Sequence, residues 1–119
     1  KNLRPLETYI QLPWYPDYSG HAFIMYPTVV KEHSGIDKQE LINYLEEKGI
    51  ETRDLMPLIN QPYLKKMYAL RERDYPVAAW INKNGFYIGC HQKMGPEELA
   101  YIVRTFNRFF STLTSTRKP

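Results

Sequence analysis

The chain has 119 residues, a hydrophobic share of 43% and a formal net charge of +3 at pH 7. A chain of this length is expected to form one domain, and its apolar share is too high for wholesale disorder. The basic residues are spread along the chain without an arginine-rich block or a glycine-flanked aromatic repeat, so we expect no nucleic-acid partner.

The sequence also limits the compartment in which the protein works. It has no signal peptide, no lipidation motif and no long apolar span, so we expect no membrane partner. Its single cysteine, Cys90, cannot form an internal disulfide, which is typical of a reducing compartment. Together these features predict a cytoplasmic protein.

The N-terminal part of the chain is predicted to contain a helix end, a loop and a strand. Residues 1–9 look like the last turns of a longer helix interrupted by Pro5, and residue 1 is not Met, so we expect a piece of a longer polypeptide. Residues 14–20 are rich in Pro, Asp, Ser and Gly, which is typical of a loop. Residues 21–30 are rich in β-branched and aromatic residues and predict a strand. Pro27 places that strand at a sheet edge or bulge, because proline has no N–H to donate.

A helix over residues 37–48 has clear start and stop signals. Asp37 and Glu40 have the spacing of a capping box. Gly49 can adopt the left-handed conformation that ends many helices. Residues 50–55 are then predicted as the next strand. The apolar residues of this helix fall on one face and are expected in the core: Leu41, Ile42 and Leu45.

The next segment is predicted to be a loop followed by two helices. Residues 56–63 contain two prolines and are predicted to form a loop. Residues 64–71 are predicted to form a short helix. Asp74 is predicted to cap a further helix that has Pro76 in its first turn and ends at Gly85.

The C-terminal part completes a predicted α+β fold. Residues 86–90 predict an apolar strand, and the last helix runs from residue 96 to about residue 110. We expect residues 111–119 to be a flexible tail. The order of elements predicts a single domain over residues 1–119. It would be a two-layer sandwich with a small three- to four-stranded, mostly antiparallel sheet and helices packed on one face. The other face is then free to meet a partner domain.

The chain contains no complete catalytic constellation. Its glycines are isolated, so no phosphate-binding loop is present, and its three histidines show no metal-ligand spacing, so we expect no metal site. Cys90 and His91 are adjacent on a predicted strand and point to opposite faces, so they do not pair as nucleophile and base.

A group of polar residues at strand ends and in adjoining loops remains as a candidate binding site: Arg53, Asn60, Gln61, Tyr63 and His91. Arginine can bind a carboxylate or phosphate with two parallel hydrogen bonds, and Asn and Gln can recognise hydroxyls or carbonyls. Ordinary structural roles remain open for each residue. Arg53 can sit in a surface ion pair, Asn60 and Gln61 can bond their own loop backbone, and His91 can be satisfied by a carbonyl.

Four stretches of the chain carry a family resemblance, in order: HAFIMYPTVV, SGIDKQELINYLEEKGIETRDLMPL, NQPYLKKM and NGFYIGCHQKMGPEELAYIVRTF. Together they resemble the C-terminal small domain of the DegT–StrS family of pyridoxal-phosphate (PLP)-dependent sugar-nucleotide aminotransferases. The second stretch is similar to the helix-to-strand unit of that family, and the last to its closing strand, histidine-containing turn and final helix.

The resemblance implies the small domain of a fold-type-I PLP enzyme. The longer protein would bind PLP as a Schiff base to a lysine in a large N-terminal domain that this chain lacks. We therefore expect no catalytic residue, no bound PLP and no activity in this chain alone. The parent enzyme would act as a homodimer and transfer an amino group from an amino acid such as glutamate to a nucleotide-linked keto sugar, in amino-sugar or surface-polysaccharide biosynthesis.

The resemblance also gives the candidate site residues expected roles. Arg53 and His91 would contact anionic groups of substrate or cofactor, with Asn60, Gln61 and Tyr63 at the edge of the same cleft. The family commonly has a histidine two residues before the glutamine of this loop. The loop here is one residue shorter, which makes Asn60 the candidate replacement. A sugar dehydratase of the same fold and a stand-alone binding or dimerisation module remain as alternative functions.

Overall fold

The computed structural model describes residues 2–116, with side chains described as far as Leu113. Four strands form one antiparallel sheet with the spatial order β1-β2-β4-β3. The strands are β1 (Ile10–Gln11), β2 (Met25–Val30), β3 (Thr52–Asp54) and β4 (Gly85–Gly89). The helices are α1 (Lys38–Glu47), α2 (Pro62–Tyr68), α3 (Pro76–Asn84) and α4 (Pro96–Thr116). The predicted α+β fold class is confirmed.

The N-terminal segment is not the predicted helix end. Its only helical part among the described residues is a 3-10 turn over Arg4–Leu6, with Pro5 at its start. Ile10 is fully buried and pairs with Val30, so the chain enters the sheet as β1, which the sequence did not predict. Burial of Leu6 against the core fixes the turn that leads into this strand.

The strand predicted over residues 21–30 is shorter than expected. The backbone of Phe23 has a φ of 41°, in the left-handed region that a strand does not adopt. Its N–H donates to Nδ1 of His21 over 3.0 Å instead of joining the sheet. Strand β2 therefore begins at Met25. Because β1 pairs only with Val29 and Val30, β2 has a neighbour on one side only at Pro27, in agreement with the predicted edge position.

The structure confirms the predicted start and end of helix α1. Oδ1 of Asp37 accepts hydrogen bonds from the backbone N–H groups of Gln39 and Glu40, at 2.5 and 3.3 Å. Gly49 has a φ of 76°, and the N–H of Ile50 donates back to the carbonyl of Leu45 over 2.9 Å. This pattern is a Schellman C-cap, which turns the chain directly from α1 towards β3.

The two capping predictions for α3 have different outcomes. Asp74 does not cap the helix: it closes a 3-10 turn over Glu72–Asp74, and Oδ2 of Asp74 accepts from Nε of Arg71 over 3.1 Å. Tyr75 occupies the N-cap position without a side-chain hydrogen bond, and Pro76 lies in the first turn as predicted.

Helix α4 is longer than the sequence indicated. It continues through Thr116, because Leu113 still packs against the core beyond the predicted end at Phe110. The predicted tail over residues 111–119 is therefore helical as far as Thr116, and residues 117–119 lie outside the described part of the chain.

The core lies between one face of the sheet and helices α1 and α4. Its largest fully buried side chains include Phe86 of β4, Leu41 and Leu45 of α1, and Phe106 of α4. The face opposite the core contains Arg53 and Tyr87, which are register partners in β3 and β4. Among residues 2–116, no helix combines the length and apolar character that crossing a bilayer requires.

Candidate functional site

An open groove with a cavity volume of about 630 Å³ lies where β4 ends and α4 begins. We call it the β4–α4 groove. Its walls come from the segment leading into β3, from the end of β4 with the following turn, and from the first turns of α4. The lining residues are Gly49, Ile50, Glu51, Arg53, Tyr87, Ile88, Gly89, His91, Met94, Glu97, Glu98, Tyr101 and Ile102.

Arg53 projects from β3 at the rim of this groove. Its side chain is 66% exposed and forms an ion pair with Glu51, which also lines the groove. A guanidinium group has five N–H donors, and a single carboxylate occupies at most part of them. Arg53 therefore keeps donors for a ligand.

His91 lies in the turn after β4 and is held by backbone contacts. Its Nδ1 accepts a hydrogen bond from the N–H of Lys93 over 3.1 Å, and its own N–H donates to Sδ of Met94 over 3.4 Å. Because Nδ1 is an acceptor, the neutral imidazole carries its proton on Nε2. His91 can thus present its Nε2–H as a donor to a ligand in the groove.

Three carboxylates line the groove beside the donors of Arg53 and His91. Oε2 of Glu98 accepts from the N–H of Gly95 over 2.8 Å and so caps the start of α4. Glu51 and Glu97 line the groove as well. With three carboxylates beside Arg53 and His91, the groove offers both donors and acceptors. This mixture suits a polyhydroxylated ligand better than a compact, highly charged anion.

The structure brings two of the five predicted site residues together. Arg53 and His91 both line the β4–α4 groove, whereas Asn60, Gln61 and Tyr63 do not. These three lie on a 3-10 turn over Leu58–Asn60 and at the start of α2.

The loop residues differ in how well their polar groups are satisfied. The N–H groups of Asn60 and Gln61 donate to carbonyls of their own turn, at 3.0 and 3.1 Å. Oδ1 of Asn60, in contrast, is buried and has no hydrogen-bond donor within residues 2–116. A buried acceptor without a donor is unfavourable, because it has lost its hydrogen bonds to water. Tyr63 is 70% exposed.

The segment around these loop residues exposes a set of large apolar side chains. Helix α2 has no buried residue. The exposed members of the segment are Met56, Leu58, Tyr63, Met67, Tyr68, Tyr75 and Val77. Exposed apolar groups concentrated in one segment are typical of a surface that another chain or domain covers.

Sequence reasoning missed several residues of the groove, above all Met94 and Tyr101. Tyr101 follows Glu97 and Glu98 at helical spacings of four and three, so the helix places these residues on one face. That periodicity was available in the sequence. The position of Met94 was not, because it depends on the turn that its sulfur shares with His91.

Cys90 lines a smaller cavity of about 190 Å³ on the other side of β4, together with Tyr26 and Leu99. Burial raises the pKa of the Cys90 thiol, so the thiol stays protonated at neutral pH. A protonated thiol is a weak nucleophile.

The fold matches part of solved PLP-dependent enzymes. The chain belongs to the DegT/DnrJ/EryC1/StrS aminotransferase family, whose model matches residues 1–107. Members and structural neighbours of this family are PLP-dependent enzymes.

Two curated relatives and one solved structure illustrate the match. The chain is 30% identical to the lipopolysaccharide biosynthesis protein RfbH of Salmonella typhimurium, over 92% of this chain and 26% of that protein. It is 31% identical to a GDP-4-keto-6-deoxy-D-mannose 3-dehydratase of Escherichia coli O55:H7, over 62% of this chain and 20% of that protein. A putative sugar aminotransferase from Streptococcus pneumoniae in its apo form superposes with a TM-score of 0.74 at 22% identity, over 98% of this chain and 31% of that one. The chain thus spans about a quarter of the length of RfbH and less than a third of the other two.

Proposed function

We propose that this chain is the C-terminal small domain of a PLP-dependent aminotransferase that acts on a nucleotide-linked keto sugar. PLP, when bound, supplies the group that accepts and donates the amino group. The observation that carries the proposal is the placement of Arg53 and His91 in one open groove of a chain that belongs to this aminotransferase family.

The β4–α4 groove does not fit the covalent attachment of PLP. No lysine lines it, so it supplies no amino group for a Schiff base. We therefore assign the attachment site to a part of a longer protein outside this chain. That assignment is supported by the coverage of the relatives, of which the chain matches 26% in RfbH.

In this proposal the chain binds and orients the sugar nucleotide. The guanidinium of Arg53 contacts an anionic or carbonyl oxygen, and Nε2–H of His91 donates to a second oxygen. The neighbouring carboxylates accept hydrogen bonds from sugar hydroxyls. Asn60, Gln61 and Tyr63 form a separate contact beyond the groove, at the turn that leads into α2.

We assign the exposed apolar segment around α2 to contacts with the rest of the enzyme. Leu58 is 71% exposed and Tyr68 65%, although both are large apolar side chains. Covering them with the large domain or the second subunit of a homodimer removes apolar surface from water.

The first experiment replaces Arg53 by Ala in the full-length enzyme. Loss of a charge-assisted contact to the sugar nucleotide is expected to lower kcat/KM roughly tenfold or more, with little change in unfolding temperature. Arg4→Ala is the control, because Arg4 is also an exposed arginine and does not line the groove. An equal kcat/KM for the Arg53 variant and the wild type would contradict the assignment of Arg53 to sugar-nucleotide binding.

A second candidate function is a PLP-dependent sugar dehydratase. This function is favoured by two curated relatives of the chain, because both are GDP-4-keto-6-deoxy-D-mannose 3-dehydratases. The two functions give products of different mass from the same mixture of full-length enzyme, PLP, glutamate and a nucleotide-linked 4-keto sugar. An amino sugar supports the aminotransferase, and a sugar that has lost a hydroxyl supports the dehydratase.

A further inference from the structure

A second groove, with a cavity volume of about 250 Å³, lies on the outer side of helices α1 and α4. It is lined by Tyr44, Lys48, Tyr101, Arg104, Thr105 and Arg108. We call it the basic groove, because three of these six residues are cationic and none is acidic. Tyr101 lines both this groove and the β4–α4 groove and so separates them.

The three cations of the basic groove have no counter-ion within the described part of the chain. The ion pairs formed by residues 2–116 involve other lysines and arginines and leave out Lys48, Arg104 and Arg108. Arg104 and Arg108 are one helical turn apart on α4, so both guanidinium groups belong to the same face of that helix. Like charges at this spacing repel each other, and an anion between them would relieve the repulsion.

Other contacts hold the groove in shape and leave its cations free to bind a ligand. Nζ of Lys48 lies 5.7 Å from the ring centroid of Tyr44, within cation–π range. The hydroxyl of Tyr101 donates to the carbonyl of Lys48 over 2.8 Å and covers the negative end of α1. The hydroxyl of Thr105 donates to the carbonyl of Tyr101 over 2.9 Å. Neither hydroxyl hydrogen is therefore available to a ligand.

We propose that the basic groove binds a phosphate or diphosphate group. Guanidinium groups match the geometry of phosphate oxygens and bind them with paired hydrogen bonds, and Lys48 adds a third charge. The cavity is smaller than the roughly 300–1,000 Å³ of sites that enclose drug-sized ligands, so it suits the phosphate portion of a molecule rather than a whole nucleotide. This site is separate from the groove assigned to the sugar nucleotide and does not depend on that assignment.

The test is titration of the full chain with inorganic pyrophosphate, followed by backbone amide NMR shifts and by calorimetry. The double variant Arg104→Gln with Arg108→Gln is expected to weaken binding by about tenfold or more, because it removes both charge-assisted contacts. Shift changes in the wild type are expected at residues 48 and 104–108, and added salt is expected to weaken binding.

The matched control removes two charges elsewhere, by Lys66→Gln with Lys83→Gln. Both lysines are exposed, lie on α2 and α3, and do not line the basic groove. Binding to this control within about twofold of the wild type supports a defined site, whereas an equal loss in both double variants shows only general charge attraction and overturns the proposal. Arg53→Gln is a third variant, and a loss there alone would place the anion in the β4–α4 groove instead.

The same phosphate chemistry occurs on lipid headgroups, so vesicles form a second arm. Sedimentation with phosphatidylglycerol vesicles, compared with phosphatidylcholine alone, shows whether a membrane supplies the phosphate. Binding to those vesicles that is lost in the arginine double variant supports the same site with a lipid source. Absence of saturable binding to both pyrophosphate and vesicles overturns the proposal.

Discussion

Thr28 and Thr52 lie on either side of β4, opposite Phe86 and Ile88, and their buried hydroxyl groups are in opposite situations. Oγ1 of Thr52 donates to Oε1 of Glu46 in α1 over 2.7 Å. Oγ1 of Thr28 is buried without a hydrogen-bond partner among residues 2–116. One hydroxyl thus links the sheet to a helix, and the other lies in the core unsatisfied.

We therefore expect Thr28→Val to stabilise the chain. The substitution replaces an unpartnered buried hydroxyl by a methyl group of similar size, which removes a desolvation penalty of about 1 kcal/mol. Urea unfolding followed by circular dichroism would measure this as a higher midpoint with an unchanged slope.

Thr52→Val is the matched control and is expected to have the opposite sign. It removes the hydrogen bond to Glu46 and should destabilise by about 1 kcal/mol, since that carboxylate is exposed and can regain water. If Thr28→Val lowers the midpoint as Thr52→Val does, the unsatisfied state of the Thr28 hydroxyl is contradicted.

The two glycines of β4 give a second prediction, because only one of them is closely packed. A Cβ at Gly85 would lie 2.5 Å from the carbonyl oxygen of Ile81 and 2.8 Å from Cδ1 of Leu55, whereas a Cβ at Gly89 would meet no atom within 4 Å. Gly85→Ala is expected to destabilise by about 1–3 kcal/mol, because the junction of α3 and β4 must shift to admit the methyl group. Thermal unfolding of both variants tests this.

Gly89→Ala serves as the control for chain entropy and strand propensity. It makes the same chemical change in the same strand, and we expect its effect to stay within about 0.5 kcal/mol. Equal destabilisation by the two variants would show that close packing at Gly85 is not the cause.

The parts of the fold that the sequence predicted well are those fixed by neighbours along the chain. Helix α1 is the clearest case. Its first-turn N–H groups are satisfied by Asp37 and its end is set by Gly49, and both signals lie next to the residues that they control. Pro76 in the first turn of α3 was predictable for the same reason.

The parts of the fold that the sequence did not predict depend on contacts between residues that are far apart along the chain. Strand β1 exists because Ile10 pairs with Val30, and no local pattern around Ile10 specifies that partner. Asp74 had the residue type of a helix cap, but a salt bridge from Arg71 holds it in the preceding turn. Tertiary contacts of this kind override local propensity.

The candidate site shows the same division. Arg53 and His91 were chosen because they lie at strand ends, and the antiparallel pairing of β3 with β4 brings the two ends to one groove. Asn60 and Gln61 are close to Arg53 in sequence, but a 3-10 turn carries them away from that groove. The position of a loop relative to a sheet depends on packing that a single sequence does not encode locally.

Cys90 gives the last prediction, which concerns pH. Burial raises the pKa of its thiol, so alkylation by iodoacetamide should reach half its maximal rate above the pH of about 8.5 that is usual for an exposed thiol. Cys90 is the single cysteine of the chain, so labelling reports on this site alone. Repeating the titration in concentrated urea should return the midpoint to the ordinary value.

The raised pKa of the Cys90 thiol also determines how the free energy of unfolding changes with pH. The unfolded thiol loses its proton at a lower pH than the folded one, so between these two pKa values the folded state binds more protons. Stability is therefore complete below the unfolded pKa and falls as pH rises towards the folded one. Burial also raises the pKa of Tyr26, which extends the fall to higher pH. Cys90→Ala should reduce the loss of stability in the lower part of this pH range. In the alkylation experiment, a midpoint pH for the folded chain at or below the midpoint in urea would contradict the burial of the thiol.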